Sequence, residues 1–483
     1  MKRKSLLLSL LALLPLSTAW ASVEINETNF PDESFRNYLL SQSYGSDGVL
    51  TDEEIQSVKS MSVQWSEINS LQGIEFFTAL EWLDCRFNQL TSLDVSKNTA
   101  LEWLDCSYNQ LTSLDVSGCT ALDGLDCSSN QLTALDVSKN TALTYLNCYS
   151  NQLTSLDVSK NTALEWLDCR FNQLTSLDVS GCTALTRLKC SDNQLTSLDV
   201  SKNTALTELW CFYNELTSLD VSKNTALTEL WCSYNELTSL DVSGCTALTE
   251  LDCSDNELTS LDVSKNTALT GLWCSYNELT SLDVSGCTAL TVLNCSDNEL
   301  TSLDVSGCTA LTGLNCSSNQ LTSLDVSKNT ALTELWCSYN ELTSLDVSKN
   351  TALTELRCYR NQIQGATMDA LVQSLPQASD AKLYVIYFYN EQNVMTVTQV
   401  EAAKAKGWIP YYTDGEKDEE NGAEYSDGLI WKEYTGSDPS DITSVNANET
   451  DNAVYYDLSG RRISGKPGEK GLFVKDGKKV FVK

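Results

Sequence analysis

Cysteine is the residue whose type and spacing in this 483-residue chain first suggest chemistry. Fourteen of the nineteen cysteines stand 21 residues apart, from Cys85 and Cys106 to Cys337 and Cys358. A thiolate could act as a nucleophile, and two sulfurs could form a disulfide. The chain has no histidine, so the commonest general base is missing. We predict that these thiols are free and buried, and that the chain is not an enzyme.

Carboxylates offer two further kinds of chemistry. Acidic side chains on a sheet could hydrolyse glycosides, but no spacing in the sequence singles out a catalytic pair. Aspartates repeat with the same period from Asp94 to Asp346 and could bind a divalent cation. We favour the alternative that each aspartate caps a local turn, its charge offset by a lysine three residues later. We therefore predict no metal and no cofactor.

The segment 43–54 reads like a calcium-binding EF-hand loop between two short helices. Ser43 and Gly45 stand at the first and third positions, where such a loop needs carboxylates. We predict that this segment belongs to a degenerate helical cap that covers the first repeat and does not bind calcium.

One repeat shows which elements must position these residues. Leu83 and Cys85 are two residues apart, so a short strand points both towards a core, while Trp82 and Asp84 point towards solvent. Asn88 follows in a turn and recurs in every repeat, where its side chain can hydrogen-bond backbone groups and form a ladder. About ten residues remain for the return path, too few for a packed helix and two loops. We expect turns and extended chain there.

The frame of the repeat, Leu-x-x-Leu-x-Cys-x-x-Asn-x-Leu, resembles the leucine-rich repeat, with cysteine in place of the third leucine. The 21-residue period with a cysteine ladder is similar to bacterial surface repeats of the internalin type. The resemblance covers residues 80–361, which hold fourteen repeats, and it implies binding rather than catalysis. We expect a β-dominated solenoid with a parallel sheet on its concave face, a small helical N-terminal cap, an α/β C-terminal cap and a short β tail.

Five cysteines lie outside the ladder and replace the second asparagine of the repeat. They are Cys119, Cys182, Cys245, Cys287 and Cys308, and glycine precedes each where the asparagine version has lysine. We interpret the glycine as easing the backbone where the side-chain cap of asparagine is lost. Ladder sulfurs on parallel strands would hang side by side about 4.8 Å apart, which does not suit a disulfide. Only Cys287 and Cys308 occupy consecutive repeats, and they are the one pair that could be bridged.

Aromatic residues concentrate on the strand side, where the repeats vary most. Seven tryptophans lie on the strands, namely Trp82, Trp103, Trp166, Trp210, Trp231, Trp273 and Trp336. Seven more rings follow just beyond them, namely Phe87, Tyr108, Phe171, Tyr213, Tyr234, Tyr276 and Tyr339. We predict that these fourteen side chains form a recognition surface, because exposed rings spaced by acidic residues are typical of one. The alternative is that neighbouring rings stack on each other and stiffen the sheet.

The chain is predicted to contain six segments. Residues 1–21 carry three basic residues before a short apolar run, the pattern of a cleavable signal peptide and too short to span a membrane. The others are a helical cap at 22–79, the repeats at 80–361, an α/β cap at 362–413, an acidic linker at 414–441 and a small β tail at 442–483.

The part of the tail from Arg461 onward is basic, unlike the rest of the chain. It contains Asp457-Leu-Ser-Gly-Arg461, a Gly-Leu-Phe-Val strand from Gly471 and a lysine-rich strand from Lys478. It is similar to the C-terminal sorting segments of proteins exported by type IX secretion in Bacteroidetes, which implies export to the cell surface or outside the cell. Alternatively, the tail docks electrostatically on the acidic solenoid.

The formal net charge of −33 argues against nucleic acids and anionic membranes as partners, because both attract cationic surfaces. We expect a monomeric, adhesin-like protein without a transmembrane segment, secreted or held on the outer cell surface, that binds a protein partner. Two alternatives are a glycan partner and a purely structural role as a spacer.

Overall fold

The computed structural model describes residues 22–387, 391–415 and 429–437 with their side chains. It also describes the backbone of five short strands between residues 443 and 482. The chain divides into two compact modules, the first ending at Leu153 and the second beginning at Thr154. The predicted signal peptide at 1–21 and most of the predicted linker at 414–441 lie outside the described residues.

The first module begins with a small cap, as predicted. Both of its helices start at residues that satisfy free backbone N–H groups: Asp32 accepts from the N–H of Phe35 at 2.9 Å, and Thr51 forms a capping box with Glu54. Phe35 packs edge-on against Phe30, and both rings are fully buried. The elements are β1 Val23–Glu24, α1 Glu33–Ser41, β2 Val49–Leu50, α2 Asp52–Ser57, β3 Ser60–Ser62 and a 3-10 helix at Ile74–Phe76.

Each 21-residue repeat contributes one three-residue strand to a parallel sheet, which confirms the predicted solenoid architecture. The register pairs equivalent positions of consecutive repeats, for example Leu230 with Leu251, so that like side chains form columns within each module. In the first module these strands are β4 Trp82–Asp84, β5 Trp103–Asp105, β6 Gly124–Asp126 and β7 Tyr145–Asn147. In the second they are β8 Trp166–Asp168, β9 Arg187–Lys189, β10 Glu208–Trp210, β11 Glu229–Trp231, β12 Glu250–Asp252, β13 Gly271–Trp273, β14 Val292–Asn294, β15 Gly313–Asn315, β16 Glu334–Trp336 and β17 Glu355–Arg357.

The inward columns are apolar and closed to solvent. Leu230 of one strand, Cys232 directly after that strand, and Leu237 and Val242 of the return path that follows have no exposed surface. All nineteen cysteines are free and buried, which confirms the prediction for the fourteen ladder cysteines. Burial raises the pKa of the ladder thiols, to about 12 at Cys316, so they stay protonated at neutral pH. Such a thiol packs as a small hydrophobic group and is not a nucleophile.

One asparagine per repeat ties each turn to the preceding one. The amide nitrogen of Asn235 donates to the backbone oxygens of Cys232 and Ser233 in its own repeat, each at 3.1 Å, and of Cys211 in the preceding repeat at 3.0 Å. Its amide oxygen accepts from the backbone N–H of Leu216 at 3.0 Å. Equivalent bonds recur in both modules, so the predicted asparagine ladder is confirmed.

The residue before each ladder asparagine has a left-handed backbone. From Phe87 to Arg360, φ at this position lies between 49° and 56°, although none of these residues is glycine. The left-handed conformation costs an ordinary residue roughly 1–2 kcal/mol. The hydrogen bonds of the adjacent asparagine hold the backbone there, so the ladder also fixes the direction of the side chain that precedes it.

The second polar column, in the return path, holds asparagine or cysteine. The amide nitrogen of Asn98 donates to the backbone oxygens of Ile74 and Phe77, each at 2.9 Å. The Sγ of Cys119 reaches the corresponding oxygens of Val95 at 3.4 Å and Asn98 at 3.6 Å. The expectation that cysteine loses the cap is therefore wrong: Cys119 contacts both oxygens, and Cys182 and Cys308 each contact the first of them, with the thiol as a weaker donor.

The glycine before three of these cysteines, at Gly118, Gly181 and Gly307, makes room for a close approach, which differs from our interpretation that it eases the backbone. Neither Gly118 nor Gly307 has a positive φ. A Cβ at Gly307 would lie 2.4 Å from the backbone oxygen of Ser285, and one at Gly118 would lie 2.9 Å from that of Ser96. At Gly244 and Gly286 a Cβ would lie 3.2 Å and 3.4 Å from the nearest backbone oxygen, so this close approach does not account for all five exchanges.

The cysteines of consecutive repeats, Cys287 and Cys308, are not bridged. The Sγ of Cys287 lies 3.8 Å from the backbone oxygen of Val263, and the Sγ of Cys308 lies 3.3 Å from that of Val284. Each thiol therefore contacts the turn before it instead of the other thiol.

Beyond the repeats, the second module continues with helices and longer strands. The indole N–H of the fully buried Trp408 donates to the backbone oxygen of Pro376 at 2.8 Å. This bond joins the strand that begins at Trp408 to the segment that follows the helix ending at Ser374. These elements are α3 Ala366–Ser374, β18 Ala381–Tyr387, α4 Val397–Lys404, β19 Trp408–Thr413 and β20 Lys432–Glu433. A five-stranded sheet follows, with β21 Thr443–Val445, β22 Tyr455–Tyr456, β23 Arg462–Ile463, β24 Gly471–Lys475 and β25 Lys478–Val482. Across the described ranges, none of the helices has the length and hydropathy that a membrane span requires.

We expect Asn235→Ala to destabilise the second module by about 2–4 kcal/mol, because several buried backbone groups lose their partner. Urea unfolding followed by circular dichroism measures the change. Glu236→Gln is the control, since this side chain is exposed and glutamine occupies the equivalent position at Gln194. An Asn235→Ala protein with the urea midpoint of the parent would contradict the role of the ladder.

The buried thiols should not react with iodoacetamide in the native protein, even at about pH 8.5, because the reagent cannot reach the sulfur atoms and the thiols are not ionised. After denaturation in guanidinium without reductant, intact mass should increase by nineteen additions. Seventeen additions and a bridged peptide containing Cys287 and Cys308 would instead identify a disulfide at that pair.

Candidate binding face

The fourteen predicted binding residues lie on the strand side of the repeats, outside the leucine and cysteine core. The seven tryptophans occupy the two outward positions of their strands, and their rings are half-buried. Trp82, Trp103 and Trp166 take the first strand position, whereas Trp210, Trp231, Trp273 and Trp336 take the third. The indole rings therefore face outward, as the sequence predicted, but neighbouring side chains cover part of each ring.

The other seven rings occupy the left-handed position before the ladder asparagine. Phe87 is half-buried, and the other six are exposed, from 38% at Tyr339 to 57% at Tyr276. The hydrogen bonds of the asparagine fix the backbone at this position, so the rings project from a rigid edge of the sheet.

Aromatic rings of consecutive repeats stack on each other. The stacked pairs are Trp65–Phe87, Phe87–Tyr108, Trp210–Trp231 and Tyr213–Tyr234, with ring centroids 3.9–4.4 Å apart. Such pairs contribute about 0.5–1.5 kcal/mol each beyond the area they bury. The rings thus stiffen the sheet, as the alternative interpretation proposed, and the surface left after stacking is what a partner could reach.

Glycine on the outward face lets two rings spread across the sheet. Trp103 and Tyr145 belong to strands separated by one repeat, yet their ring centroids are 5.2 Å apart. Gly124 stands between them, and a Cβ there would lie 2.1 Å from the ring of Trp103. Gly271 likewise leaves room for the ring of Trp273, because a Cβ at position 271 would lie 2.4 Å from that ring. These glycines are required by the rings and not by a special backbone conformation.

The protein's own cations cover some of the aromatic rings in the second module. Measured from the cation to the ring centroid, the pairs are Lys189 to Trp210 at 3.4 Å, Arg357 to Trp336 at 4.1 Å and Arg360 to Tyr339 at 5.2 Å. Burial against these neighbours lowers the pKa of Lys189. Cation–π contacts are therefore part of how this face is built.

Several carboxylates of the strand face are buried, although the sequence predicted that they face solvent. Asp84 is 2% exposed and Asp105 is 7% exposed, and Arg86 lies 3.3 Å from both. Asp168 pairs with Arg170 at 2.6 Å in the same way. The prediction is wrong at these positions because arginine side chains and neighbouring rings cover them. Burial raises the pKa of Asp84, which offsets part of its pairing with the arginine.

The sequence analysis missed a column of glutamates in the second module. Repeats five and six carry Gln173 and Gln194 after the ladder asparagine, whereas the next five repeats carry glutamate. This glutamate column consists of Glu215, Glu236, Glu257, Glu278 and Glu299, all exposed. Beside it, the strand glutamates Glu208, Glu229 and Glu250 stand in register on adjacent strands. The change from Asn-Gln-Leu to Asn-Glu-Leu was the signal that could have revealed the glutamate column.

A polar depression of about 320 Å³ lies at the end of the repeats. Its walls include Tyr339, Arg360 and Gln392, which come from two repeats and from the chain that follows them. The sequence analysis did not predict it, because the repeat pattern does not extend to Gln392.

The aspartates of the return path cap turns, as predicted. In each case the carboxylate accepts a hydrogen bond from the backbone N–H two residues later. For example, the N–H of Ser222 donates to Asp220 at 2.9 Å. This bond, with that from the serine hydroxyl, lowers the pKa of Asp220. Among the described residues, no group of three potential ligands could hold a metal ion.

The loop that resembles an EF-hand has a structural role. Asp47 accepts from the backbone N–H of Val49 at 3.1 Å, and Thr51 and Glu54 are engaged in the capping box. A Cβ at Gly45 would lie 2.4 Å from the backbone oxygen of Leu39, so the loop is folded tightly against the first helix.

The chain is similar in sequence and structure to known leucine-rich repeat proteins. A family model described as leucine-rich repeats in two copies matches residues 99–140, 162–203, 225–266, 267–307 and 288–329. The functional domain of InlJ from Listeria monocytogenes, which includes a cysteine ladder, is 33% identical with a TM-score of 0.69, and the match covers 96% of this chain and 98% of that domain.

Two further solved structures share the fold at lower identity. A leucine-rich repeat protein of Leptospira interrogans is 22% identical with a TM-score of 0.61, covering 68% of this chain and 96% of its own. The internalin inlF of Listeria monocytogenes is 24% identical with a TM-score of 0.50, covering 75% and 98%. No curated protein sequence matches the chain.

The capping aspartates predict a pH-dependent effect of substitution. The pKa of the capping carboxyl is lower in the folded state than in the unfolded state, where it is about 3.9. The ionised carboxylate therefore stabilises the folded state above this unfolded-state pKa, and the stabilisation is lost as the pH falls through the folded-state pKa. Asp220→Asn keeps the acceptor but removes the charge, so its unfolding free energy should be below that of the parent at about pH 6 and converge with it at about pH 2.

Thermal unfolding of both proteins over this pH range measures the difference. Asp220→Ala, which removes the acceptor, should remain less stable than the parent at every pH. A constant difference between Asp220→Asn and the parent would contradict the charge-assisted cap.

Proposed function

This chain belongs to the bacterial internalin-like leucine-rich repeat proteins, and we propose that it binds a protein partner through the strand side of its second module. The single observation that carries this proposal is the exposed tyrosine edge. Tyr213, Tyr234 and Tyr276 are 48%, 44% and 57% exposed, on backbone positions that the asparagine ladder fixes. Large rings held rigidly lose little conformational entropy on binding, which makes them effective anchors in protein interfaces.

The arrangement of the tryptophans supports the same proposal. Trp231 and Trp273 are both half-buried, and Trp231 stacks on Trp210, so these indole rings form an apolar floor beside the tyrosine edge. The indole N–H of Trp231 is buried without an acceptor among the described side chains, and the ring therefore contributes apolar surface and not a hydrogen bond. An apolar floor with a polar, acidic rim has the composition of a recognition surface.

We also propose that the protein acts outside the cell as an adhesin-like molecule and is not an enzyme. The pattern of residues 1–21, typical of a cleavable signal peptide, supports export. The buried, protonated ladder thiols and the lack of histidine support a role in binding instead of catalysis.

A glycan partner is the second candidate, and one observation in the first module favours it. The stack of Trp65, Phe87 and Tyr108 ends at Tyr108, which is 50% exposed. The next residue in this column is Ser129, too short to cover the ring. The open face of Tyr108 is a flat apolar platform of the kind on which a sugar ring can pack.

The proposed function is tested with a triple variant, Tyr234→Ser, Trp273→Asn and Tyr276→Ser. Serine and asparagine already occupy equivalent positions at Ser318 and Asn294, so the fold should be kept. The full chain is screened against arrayed extracellular proteins and arrayed glycans, and the affinities of the ligands found are then measured. We expect a protein ligand whose affinity falls by at least about tenfold in the variant, as loss of interface anchors predicts.

The control is Thr238→Ala, an exposed change away from the tyrosine edge, which should leave affinity unchanged. Equal binding by the triple variant and the parent would contradict the proposal and favour a structural spacer. Glycan binding that depends on Tyr108 would favour the second candidate.

A further inference from the structure

The strand side of the second module contains a stretch that is acidic and free of basic residues. Between residues 206 and 310 the only basic residues are Lys223 and Lys265, and both are exposed in return segments. The glutamate column and the strand glutamates lie in this part of the chain. We call residues 206–299 the acidic stretch.

The strand glutamates are only partly compensated within the protein. Glu208 pairs with Arg187 at 3.0 Å. Glu229 and Glu250 form no ion pair within the described chain, although they stand opposite each other on adjacent strands and are half-buried. Like charges directly opposite each other in a sheet are destabilising. A cation placed over them would remove this repulsion.

The aromatic rings in the middle of the acidic stretch also lack the cations that cover rings at its borders. Lys189 lies over Trp210 on one side, and Arg357 lies over Trp336 beyond the other side. Trp231 and Trp273, between them, have no cation over their rings in the described structure. The chain itself thus makes this contact at Trp210, within one end of the acidic stretch, and at Trp336, beyond the other end.

We propose that the acidic stretch binds a polypeptide segment of the partner that is rich in arginine, with lysine as the weaker substitute. This inference rests on the proposed function and adds the chemistry of the partner. A guanidinium can bind a carboxylate through two hydrogen bonds and stack on an aromatic ring at the same time, which an ammonium cannot. The arrangement of Glu229 and Glu250 beside Trp231 and Trp273 offers both contacts in neighbouring repeats.

The size of the acidic stretch fits an extended segment. Its five strands, from Glu208–Trp210 to Val292–Asn294, span about 19 Å at the spacing of about 4.8 Å between strands. An extended chain covers this distance with about six residues. A small metal ion would not use such a surface, and the described chain holds no cluster of ligands for one.

The experiment measures binding of a fluorescent peptide of alternating arginine and serine to the full chain by anisotropy, at about 0.05 M and about 0.5 M salt. The matched peptide carries citrulline, a neutral isostere, in place of arginine. The test variant carries Glu229→Gln, Glu236→Gln, Glu250→Gln and Glu257→Gln. The control variant carries Asp178→Asn, Asp199→Asn, Asp220→Asn and Asp241→Asn, which changes the net charge equally but on the return side.

We expect the arginine peptide to bind the parent, the citrulline peptide to bind at least about tenfold more weakly, and the test variant to lose at least about tenfold in affinity with a smaller salt dependence. The control variant should lose less than about twofold. Equal losses in both variants would mean that the peptide responds only to net charge and would overturn the proposal. Equal affinity of the citrulline peptide would overturn it as well.

The two proposals fail in different ways. If the partner found by the array screen depends on Tyr234 and Trp273 but binds the glutamine variant as tightly as the parent, the inference about arginine falls and the proposed function stands. If neither the triple aromatic variant nor the glutamine variant affects binding of that partner, both are overturned.

Discussion

The structure depends on how each 21-residue turn satisfies its buried backbone groups. A unit this short has no helix in which its peptide groups could pair with each other, so the bends leave carbonyls and N–H groups without partners. The ladder asparagine supplies them: Asn235 alone bonds three backbone oxygens and receives one N–H. Because these hydrogen bonds join consecutive repeats, the side chain that satisfies the backbone groups of one turn also holds that turn against the preceding one.

The same constraint determines what the strand side can present. The hydrogen bonds of the asparagine hold the preceding residue in a left-handed conformation, which residues as different as Phe87, Tyr213 and Asp255 adopt. The core therefore fixes the position of each edge side chain without fixing its type. Variation in type is then free to specify a partner, while the leucine, cysteine and asparagine columns stay the same.

The sequence predicted the repeat, the strand positions, the asparagine ladder and the buried thiols, because each is a periodic pattern with one physical explanation. It did not predict which outward side chains bury each other. Asp84 and Asp105 are closed off by Arg86 of one repeat, and the ring of Trp103 reaches Tyr145 across a glycine. Such contacts depend on side-chain direction between particular repeats, and the average repeat carries no information about them.

The exchange of Ser-Lys-Asn for Ser-Gly-Cys connects the core to the charge of the surface. Where cysteine takes the place of asparagine, glycine takes the place of lysine, and at Gly307 a Cβ would lie only 2.4 Å from the backbone oxygen of Ser285. Each exchange therefore removes one positive charge from the return side. Two of the five exchanges, at Cys245 and Cys287, fall within the acidic stretch at 206–299, and a third, at Cys308, follows it, so the exchange adds to the acidity of the stretch that we propose as the binding site.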